Sequence, residues 1–338
     1  MGIVIVTKFY KGQGLGNQLW VYAVLRSLAW EKNFSFGIES YSNYKLKNFL
    51  PLDRGLRVIG FPHERPYGLW TLGTPRVLFE NQNVVESLDI AISQWEHRIA
   101  NLKNGTKIEG YFQSLDYIET YKRELQNLFQ CKLEQSTDSS VCYISVRGGD
   151  FRGNPEICCD VFYYRRAINE MRLSGFTEFQ IITDDIPYAK QLLPGISVAS
   201  FDYTLVTREK DVDGIEKKIA HDFSILQNAK ALILSNSTFA WWAAWTNLNN
   251  PVVIAPRFWS HPRNKYNIWA PKEIAVGEWS YSDGLNLLSG ASAIKESREQ
   301  KFPLKFESKT LKSKIEFKER FKNSVYKFYK ALQKRILF

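Results

Sequence analysis

The sequence predicts an α/β protein built around parallel sheet, and three features carry that prediction. Apolar strands alternate with helical segments from residue 141 to 255, the pattern a parallel sheet requires because each crossover needs a helix. The chain opens on a strand, Ile3 to Val6, followed by a glycine loop, Gly12-Gln-Gly-Leu-Gly-Asn-Gln18, and a helix. The run Val141-Cys-Tyr-Ile-Ser-Val146 reads as a buried strand that delivers Arg147, Gly148, Gly149 and Asp150 into a turn. In open α/β sheets, ligands gather beyond the carboxyl ends of such strands.

The 338 residues, 44% hydrophobic and 14% aromatic, suffice to bury substantial cores and suggest about two domains. Cysteines at 131, 142, 158 and 159 form neither a disulfide framework nor a metal-ligand spacing, so a reduced compartment is expected. The first residues lack the basic region, long apolar core and cleavage site of a secretory signal. No apolar run is long enough to span a bilayer, so the expected location is cytoplasmic, peripheral on the inner membrane's cytoplasmic face if the tail binds lipid. The net charge of +10 is concentrated: residues 301 to 338 hold twelve Lys or Arg against three Glu, which leaves +1 for the first 300 residues. A general nucleic-acid surface is therefore disfavoured for the main body.

In order, the first helix is expected from Leu19 to about Lys32, with Leu19, Tyr22, Ala23, Leu25 and Leu28 on one side. Its glycine loop either aims backbone N–H groups at an anion or serves only to turn the chain. Residues 38 to 104 are irregular, with a helix at Ser93 to Leu102. Gly110 to Gln113 reads as extended, Ile118 to Phe129 as an amphipathic helix, and Gln135 to Ser140 as a polar linker.

After the Arg147 turn, a helix over Asp160 to Ser174 is expected to use Phe162, Ala167, Ile168 and Met171 as apolar contacts. The strand Phe179 to Thr183 ends in Asp184 and Asp185. This acidic pair suits a metal or a ribose, or caps the next helix, a role expected of one of the two. Further strands are read at Val198 to Phe201, Ala231 to Leu234 and Val252 to Pro256, with a helix over Ala220 to Ala229. Ser235-Asn-Ser-Thr238 precedes the helix Phe239 to Trp245, whose tryptophans alternate with alanines and read as core.

Three stretches agree with one family. Gly14-Leu-Gly-Asn-Gln-Leu-Trp-Val-Tyr-Ala23 resembles the N-terminal signature of the α-1,2-fucosyltransferases of glycosyltransferase family 11. Ile181-Ile-Thr-Asp-Asp185 is similar to the family's Ser-Asp-Asp strand end, and Leu234 to Trp245 resembles its Asn-Ser-Ser-Phe-Ser-Trp-Trp-Ala-Ala-Trp-Leu segment. The resemblance spans about residues 1 to 280.

It implies a GT-B-like fold of two Rossmann-like domains facing a central cleft: an acceptor-side domain at 1–135 and a nucleotide-sugar-binding domain at 136–285. Beyond the resemblance, residues 286–338 read from their charge and apolar spacing as a basic amphipathic tail. The resemblance also implies an inverting, metal-independent transfer from GDP-fucose to a glycan hydroxyl, without a cofactor, in bacterial surface polysaccharide synthesis. Arg147 would grip the diphosphate. Ser235, Asn236, Ser237 and Thr238 would offer donors near phosphate or ribose, with Asp184 nearby. Asp222 would contact the guanine, and Gly14, Gly16 and Asn17 would face the donor's sugar. Such a reaction builds negative charge on the departing diphosphate, which an arginine and oriented amides can stabilise. Asp150 and Glu156 are the nearest carboxylates for a base.

The family's His-Val-Arg-Arg-Gly-Asp-Tyr is here Ser145-Val-Arg-Gly-Gly-Asp-Phe151, which lacks the histidine and the second arginine. Either Arg152 or Arg257 substitutes, or the donor is a different nucleotide sugar. A non-catalytic glycan- or nucleic-acid-binding protein is the alternative from another class. In the tail, Leu311, Ile315, Phe321, Val325, Phe328, Leu332 and Ile336 recur at near-helical spacing between lysines and arginines. That pattern suits an anionic membrane surface, and a lipid-linked acceptor, or else packing against the body.

Overall fold

Two sheets are laid down one after the other along the chain. The computed structural model describes residues 3–58, 77–79, 102, 104–109, 112–133, 135–153, 158–200, 212–257 and 274–299. The chain divides into two compact units, Met1–Arg298 and Glu299–Phe338. Both sheets belong to the first. Strands β1 (Val4–Lys8), β2 (Ser35–Glu39), β3 (Val77–Phe79) and β4 (Thr106–Glu109) form a parallel sheet in the order β2-β1-β4-β3. Helix α1 (Leu15–Lys32) makes the crossover from β1 to β2.

The second sheet contains β5 (Val141–Val146), β6 (Glu178–Thr183), β7 (Ser197–Val198), β8 (Ala231–Ile233), β9 (Val252–Pro256), β10 (Ser280–Ser282) and β11 (Leu287–Ser289). Its order is β11-β10-β9-β8-β5-β6-β7, parallel except for the antiparallel β10–β11 pair. This is the α/β, parallel-sheet architecture that the strand and helix alternation predicts.

β5 is buried along its whole length because helices cover both faces of the sheet. Val141 and Tyr143 face one core. Cys142, Ile144 and Val146 face the other, against Tyr164, Ala167 and Met171 of α3 (Val161–Leu173) and Ala189 of α4 (Ile186–Leu192). Within α3, Tyr163, Tyr164, Ala167, Ile168 and Met171 are buried, whereas Phe162 is exposed. The expectation for Phe162 was therefore wrong: it sits one position before the buried stripe and on the opposite side of the helix.

α1 begins at Leu15, four residues earlier than expected, and is buried on nearly every side. Gly16 and Asn17, read as loop, form its first turn. The reason is position: α1 lies between the first sheet and α6 (Thr238–Trp245), so no face is left for water. The Trp20 ring is 4.6 Å from Trp241 and 4.8 Å from Trp242, centroid to centroid. Trp242 meets Phe129 edge-on at 5.1 Å. A single apolar core thus runs from Ile5 and Phe36 of the first sheet to Tyr143 and Leu232 of the second. Each fully buried large side chain in it contributes on the order of 2–3 kcal/mol.

Polar contacts tie the same seam. α5 (Val212–Asn228) supplies Glu216, whose carboxylate accepts from Asn48 N (2.7 Å) and Asn48 Nδ2 (2.9 Å). Gln227 accepts from Cys131 N (2.9 Å) and donates to Phe129 O (2.8 Å). Gln126 Nε2, on α2 (Lys122–Leu128), donates to Trp245 O (2.6 Å).

Other boundaries differ in ways physics explains. The helix expected over Ile118 to Phe129 is α-helical only as α2, preceded by 3₁₀ turns at Leu115–Tyr117 and Glu119–Tyr121. Of the segment read as extended at Gly110 to Gln113, Gly110 and Tyr111 lie outside the described residues, and Phe112 adopts a positive φ of 50°; the strand described before it is β4. Asp160 and Asp185 cap α3 and α4, accepting from Tyr163 N (2.9 Å) and Tyr188 N (3.1 Å). A last helix, α7 (Gly290–Glu299), follows β11. The helix read at Ser93 to Leu102, apart from Leu102 itself, and the periodic tail from Leu311 to Ile336 lie outside the described residues. Among the described residues no helix is long and apolar enough to cross a membrane.

Candidate active site

The carboxyl end of β5 is followed by Arg147, whose guanidinium is shared between two carboxylates. It pairs with Asp184, at the end of the neighbouring β6, and with Asp150, three residues on. Asp184 also accepts from Gly148 N at 2.9 Å, so one carboxylate fixes both the side chain and the turn behind it. The ring of Phe151 lies 5.1 Å from the guanidinium carbon. The Arg147 side chain remains one-third exposed (33%), which leaves donors for an incoming anion.

Both glycines of the turn are dictated by packing. A Cβ at Gly148 would lie 2.6 Å from Asp185 Cβ and 2.9 Å from Tyr188 Cδ1. Gly149 has φ +42°, and a Cβ there would meet Asp184 Oδ2 at 2.6 Å. The missing second arginine is thereby explained: the start of α4 occupies the space its Cβ would need. The missing histidine has a counterpart too. Ser145 is buried, and its hydroxyl is 3.0 Å from that of Ser235.

β8, hydrogen-bonded to β5, leads into Ser235 to Thr238 and α6. Ser235 and Asn236 are buried, the latter accepting from Cys159 Sγ at 3.6 Å. Ser237 is the N-cap of α6, with no side-chain cap bond. Thr238 Oγ1 donates to Asn17 Oδ1 (3.3 Å), which also accepts from Gln113 Nε2 (3.3 Å). Gly14 is the N-cap of α1, and Gly16 sits against Thr238. The amino ends of α1 and α6 therefore meet, each presenting first-turn amides and the positive end of a helix dipole.

The structure thus gathers the predicted residues into two adjoining groups. Arg147, Asp150 and Asp184 form one; Gly14, Gly16, Asn17, Ser235, Asn236, Ser237 and Thr238 form the other, with Ser145 and Ser235 as the link. Asp222 is 2% exposed in the middle of α5, with Oδ1 3.2 Å from His221 Nδ1. Glu156 lies outside the described residues. Of the two proposed replacements for the missing arginine, Arg257 is committed elsewhere, to Asp283 (2.6 Å) and Glu296. Arg152 is near the site, paired with Asp185 at 3.1 Å.

Burial raises the Asp184 carboxyl above its ordinary value, outweighing the pull of Arg147 and the Gly148 amide. Burial also pushes the Cys159 thiol up to about 12, which makes it an inert hydrogen-bonding group. Among the described residues no group of three or more His, Cys, Asp or Glu is placed to hold a metal ion.

One contributor escaped the sequence reading. Lys45 is half-buried, its ammonium lowered in pKa first by burial and then by the Arg147 charge, against an opposing effect of Asp150. Nothing around Tyr44-Lys45-Leu46 signals this in one dimension. The only trace is Gln18, in the glycine motif, which accepts from Lys45 N at 3.2 Å.

A conserved-sequence description of glycosyl transferase family 11 matches residues 98–283, more than half of the chain. The protein is a glycosyltransferase. It belongs to glycosyl transferase family 11, as the sequence resemblance implied. It is 25% identical over 285 residues to an α-1,2-colitosyltransferase of Escherichia coli, covering 76% of this chain and 93% of that relative. It is 24% identical over 185 residues to the O-antigen biosynthesis glycosyltransferase WbnK of Escherichia coli, covering 48% and 58%. Among solved structures, NodZ α-1,6-fucosyltransferase soaked with GDP-fucose aligns with a TM-score of 0.43 at 13% identity, over 74% of this chain and 97% of that one. NodZ from Bradyrhizobium aligns with a TM-score of 0.41 at 13% identity, over 72% and 93%. The non-catalytic alternatives lose their footing against family membership.

Proposed function

We propose that this glycosyltransferase moves fucose from GDP-fucose to a hydroxyl of a glycan acceptor, forming an α-1,2 linkage with inversion and without a metal. The observation that carries the reading is the Arg147 clamp at the end of β5, next to the abutting amino ends of α1 and α6. A departing diphosphate gains one negative charge as the bond from its β-phosphate oxygen to the sugar breaks, and a guanidinium held by Asp184, together with oriented amides, stabilises that charge without reorganising. Arg147 and the Ser235 to Thr238 turn are the donor grip in this reading. Asp184 orients Arg147, and Gly14, Gly16 and Asn17 border the donor sugar. Asp222 is the guanine contact, which requires a base to reach α5. Asp150 and Glu156 remain the two candidates for the base that takes the acceptor proton.

We read the two sheets as the acceptor-side and donor-side halves of a GT-B-type enzyme, divided near residue 135. The acceptor is a surface polysaccharide of the O-antigen kind, a role that fits the name of the WbnK relative. The basic tail, net +9 over residues 301 to 338, would hold the otherwise cytoplasmic enzyme at an anionic membrane that carries a lipid-linked acceptor. Flotation with anionic vesicles compares the full chain with a form ending after Arg298; equal binding by both overturns the anchor.

A second reading has its own support: colitose in place of fucose, after the name of the α-1,2-colitosyltransferase relative. Assaying release of the nucleoside diphosphate (GDP or UDP) from GDP-fucose, GDP-colitose and UDP-galactose, each with and without EDTA, tests both. GDP-fucose as the best donor, unaffected by EDTA, supports the first reading. Preference for GDP-colitose supports the second, and release from UDP-galactose alone overturns both.

A further inference from the structure

Lys45 stands in a loop that the protein holds still. Its backbone N–H donates to Gln18 Oε1 at 3.2 Å, and Gln18, fully buried, donates through Nε2 to Asn43 O at 2.9 Å. Asn43 Nδ2 in turn donates to Phe9 O at 2.9 Å, and the ring of the buried Tyr44 stacks on Phe9 at 5.4 Å. Three hydrogen bonds and an aromatic pair therefore fix the chain from Asn43 to Lys45, and the Leu46 side chain that follows is fully buried. Only the Lys45 side chain is left to move.

The same pins place the loop beside the site. Gln18 follows Asn17, whose Oδ1 accepts from Thr238 Oγ1 at the start of α6. The loop is thus carried to the ends of β8 and β5, where Arg147 emerges. There the ammonium feels the Arg147 charge as repulsion and that of Asp150 as attraction. Its Nζ makes no hydrogen bond or ion pair with a described residue, while Asp150 and Asp184 are both engaged by Arg147. Two cations thus share a partly buried space in which both carboxylates are held in direct ion pairs by one of them, Arg147. An anion of charge near −2 lying between them would turn one repulsion into two attractions.

We propose that Lys45 is the second cation of the donor site, and that its ammonium joins the Arg147 guanidinium on a nucleoside diphosphate held where the two sheets meet. This rests on the reading of the site as one for a nucleotide sugar. It also accounts for Gly148: the turn has no room for a second cationic side chain, so the first sheet supplies the charge.

The test measures binding of GDP, GMP and guanosine to the full chain and to Lys45→Met and Lys45→Arg. Lys45→Met is expected to bind GDP at least tenfold more weakly, GMP with a smaller loss and guanosine unchanged. Lys45→Arg should stay within threefold for GDP. Without nucleotide, Lys45→Met should unfold no earlier than the unmodified chain, because it loses an unmatched cation. Unchanged GDP affinity in Lys45→Met overturns the proposal. So does a Lys45→Met chain that cannot fold without nucleotide, which would make the ammonium structural. Should the unmodified chain bind ADP or UDP but not GDP, the fucosyl reading fails. The Lys45 assignment is then decided by the same diphosphate-to-monophosphate ratio on that nucleotide. Binding of no nucleoside diphosphate overturns both.

Discussion

Gly16, in the first turn of α1, lies so close to Thr238 that a Cβ added to it would sit 2.4 Å from both the carbonyl carbon and the Oγ1 of that threonine. Two helix starts from different sheets meet at this point, and only a residue without a side chain allows it. Gly16→Ala is expected to lower stability by about 2–3 kcal/mol, since the obstructing atoms include backbone. Gly14, two residues earlier, has nothing within 4 Å of its Cβ position and φ −65°. Gly14→Ala should cost no more than about 1 kcal/mol, the loss of a favourable cap residue. Urea unfolding of the two variants side by side checks the contrast, and equal losses would refute it.

Arg147→Ala should reduce transfer at least a hundredfold while the chain still folds, because it removes the guanidinium that faces the leaving group and no apolar packing. Arg147→Lys should recover little of it. A single ammonium cannot hold Asp184 and Asp150 together and still face the ligand. Steady-state rates with a circular-dichroism check of folding settle the point.

Asp184 gives a pH signature. Its carboxyl is raised in the folded chain, mainly by burial, so the native state holds that proton more tightly than the unfolded chain does. Stability is then lost as pH climbs from the ordinary carboxylate value through the raised one. Asp184→Asn removes this dependence, and its melting temperature relative to the unmodified chain should improve from pH 4 to pH 7. Transfer should nevertheless fall, since Arg147 loses the charge that orients it. A variant equally shifted at both pH values would contradict the burial argument.

Gly148→Arg restores the residue the family carries, yet it should harm the protein. The new Cβ would collide with Asp185 Cβ and Tyr188 Cδ1 at the start of α4. A loss of about 1–3 kcal/mol is expected, with no gain in donor affinity. Tighter binding of GDP at unchanged melting temperature would show that α4 yields more easily than its packing implies.

Much of this was legible in one dimension. β5 announced itself because a strand covered on both faces must be apolar throughout, and the split roles of Asp184 and Asp185 followed from what a helix start demands. The start of α1 was misread because glycine at Gly16 signals a turn locally, whereas here it answers a contact with a helix more than two hundred residues away. Lys45 was invisible for a related reason. Its importance comes from Gln18 and Arg147, neither of which is near it in sequence, and a lone lysine in an irregular stretch carries no pattern.

The tryptophan seam between α1 and α6 bears on how such enzymes can be re-engineered. Because Trp20 is packed among Trp241 and Trp242, cutting the chain near residue 135 would strip an apolar wall from each piece. Neither half should be obtainable alone in soluble form. Chimeras that trade donor or acceptor preference between relatives should succeed only when α1 and α6 come from the same parent. The unit of inheritance in this protein is the helix pair, and the sheets on either side of it are the exchangeable parts.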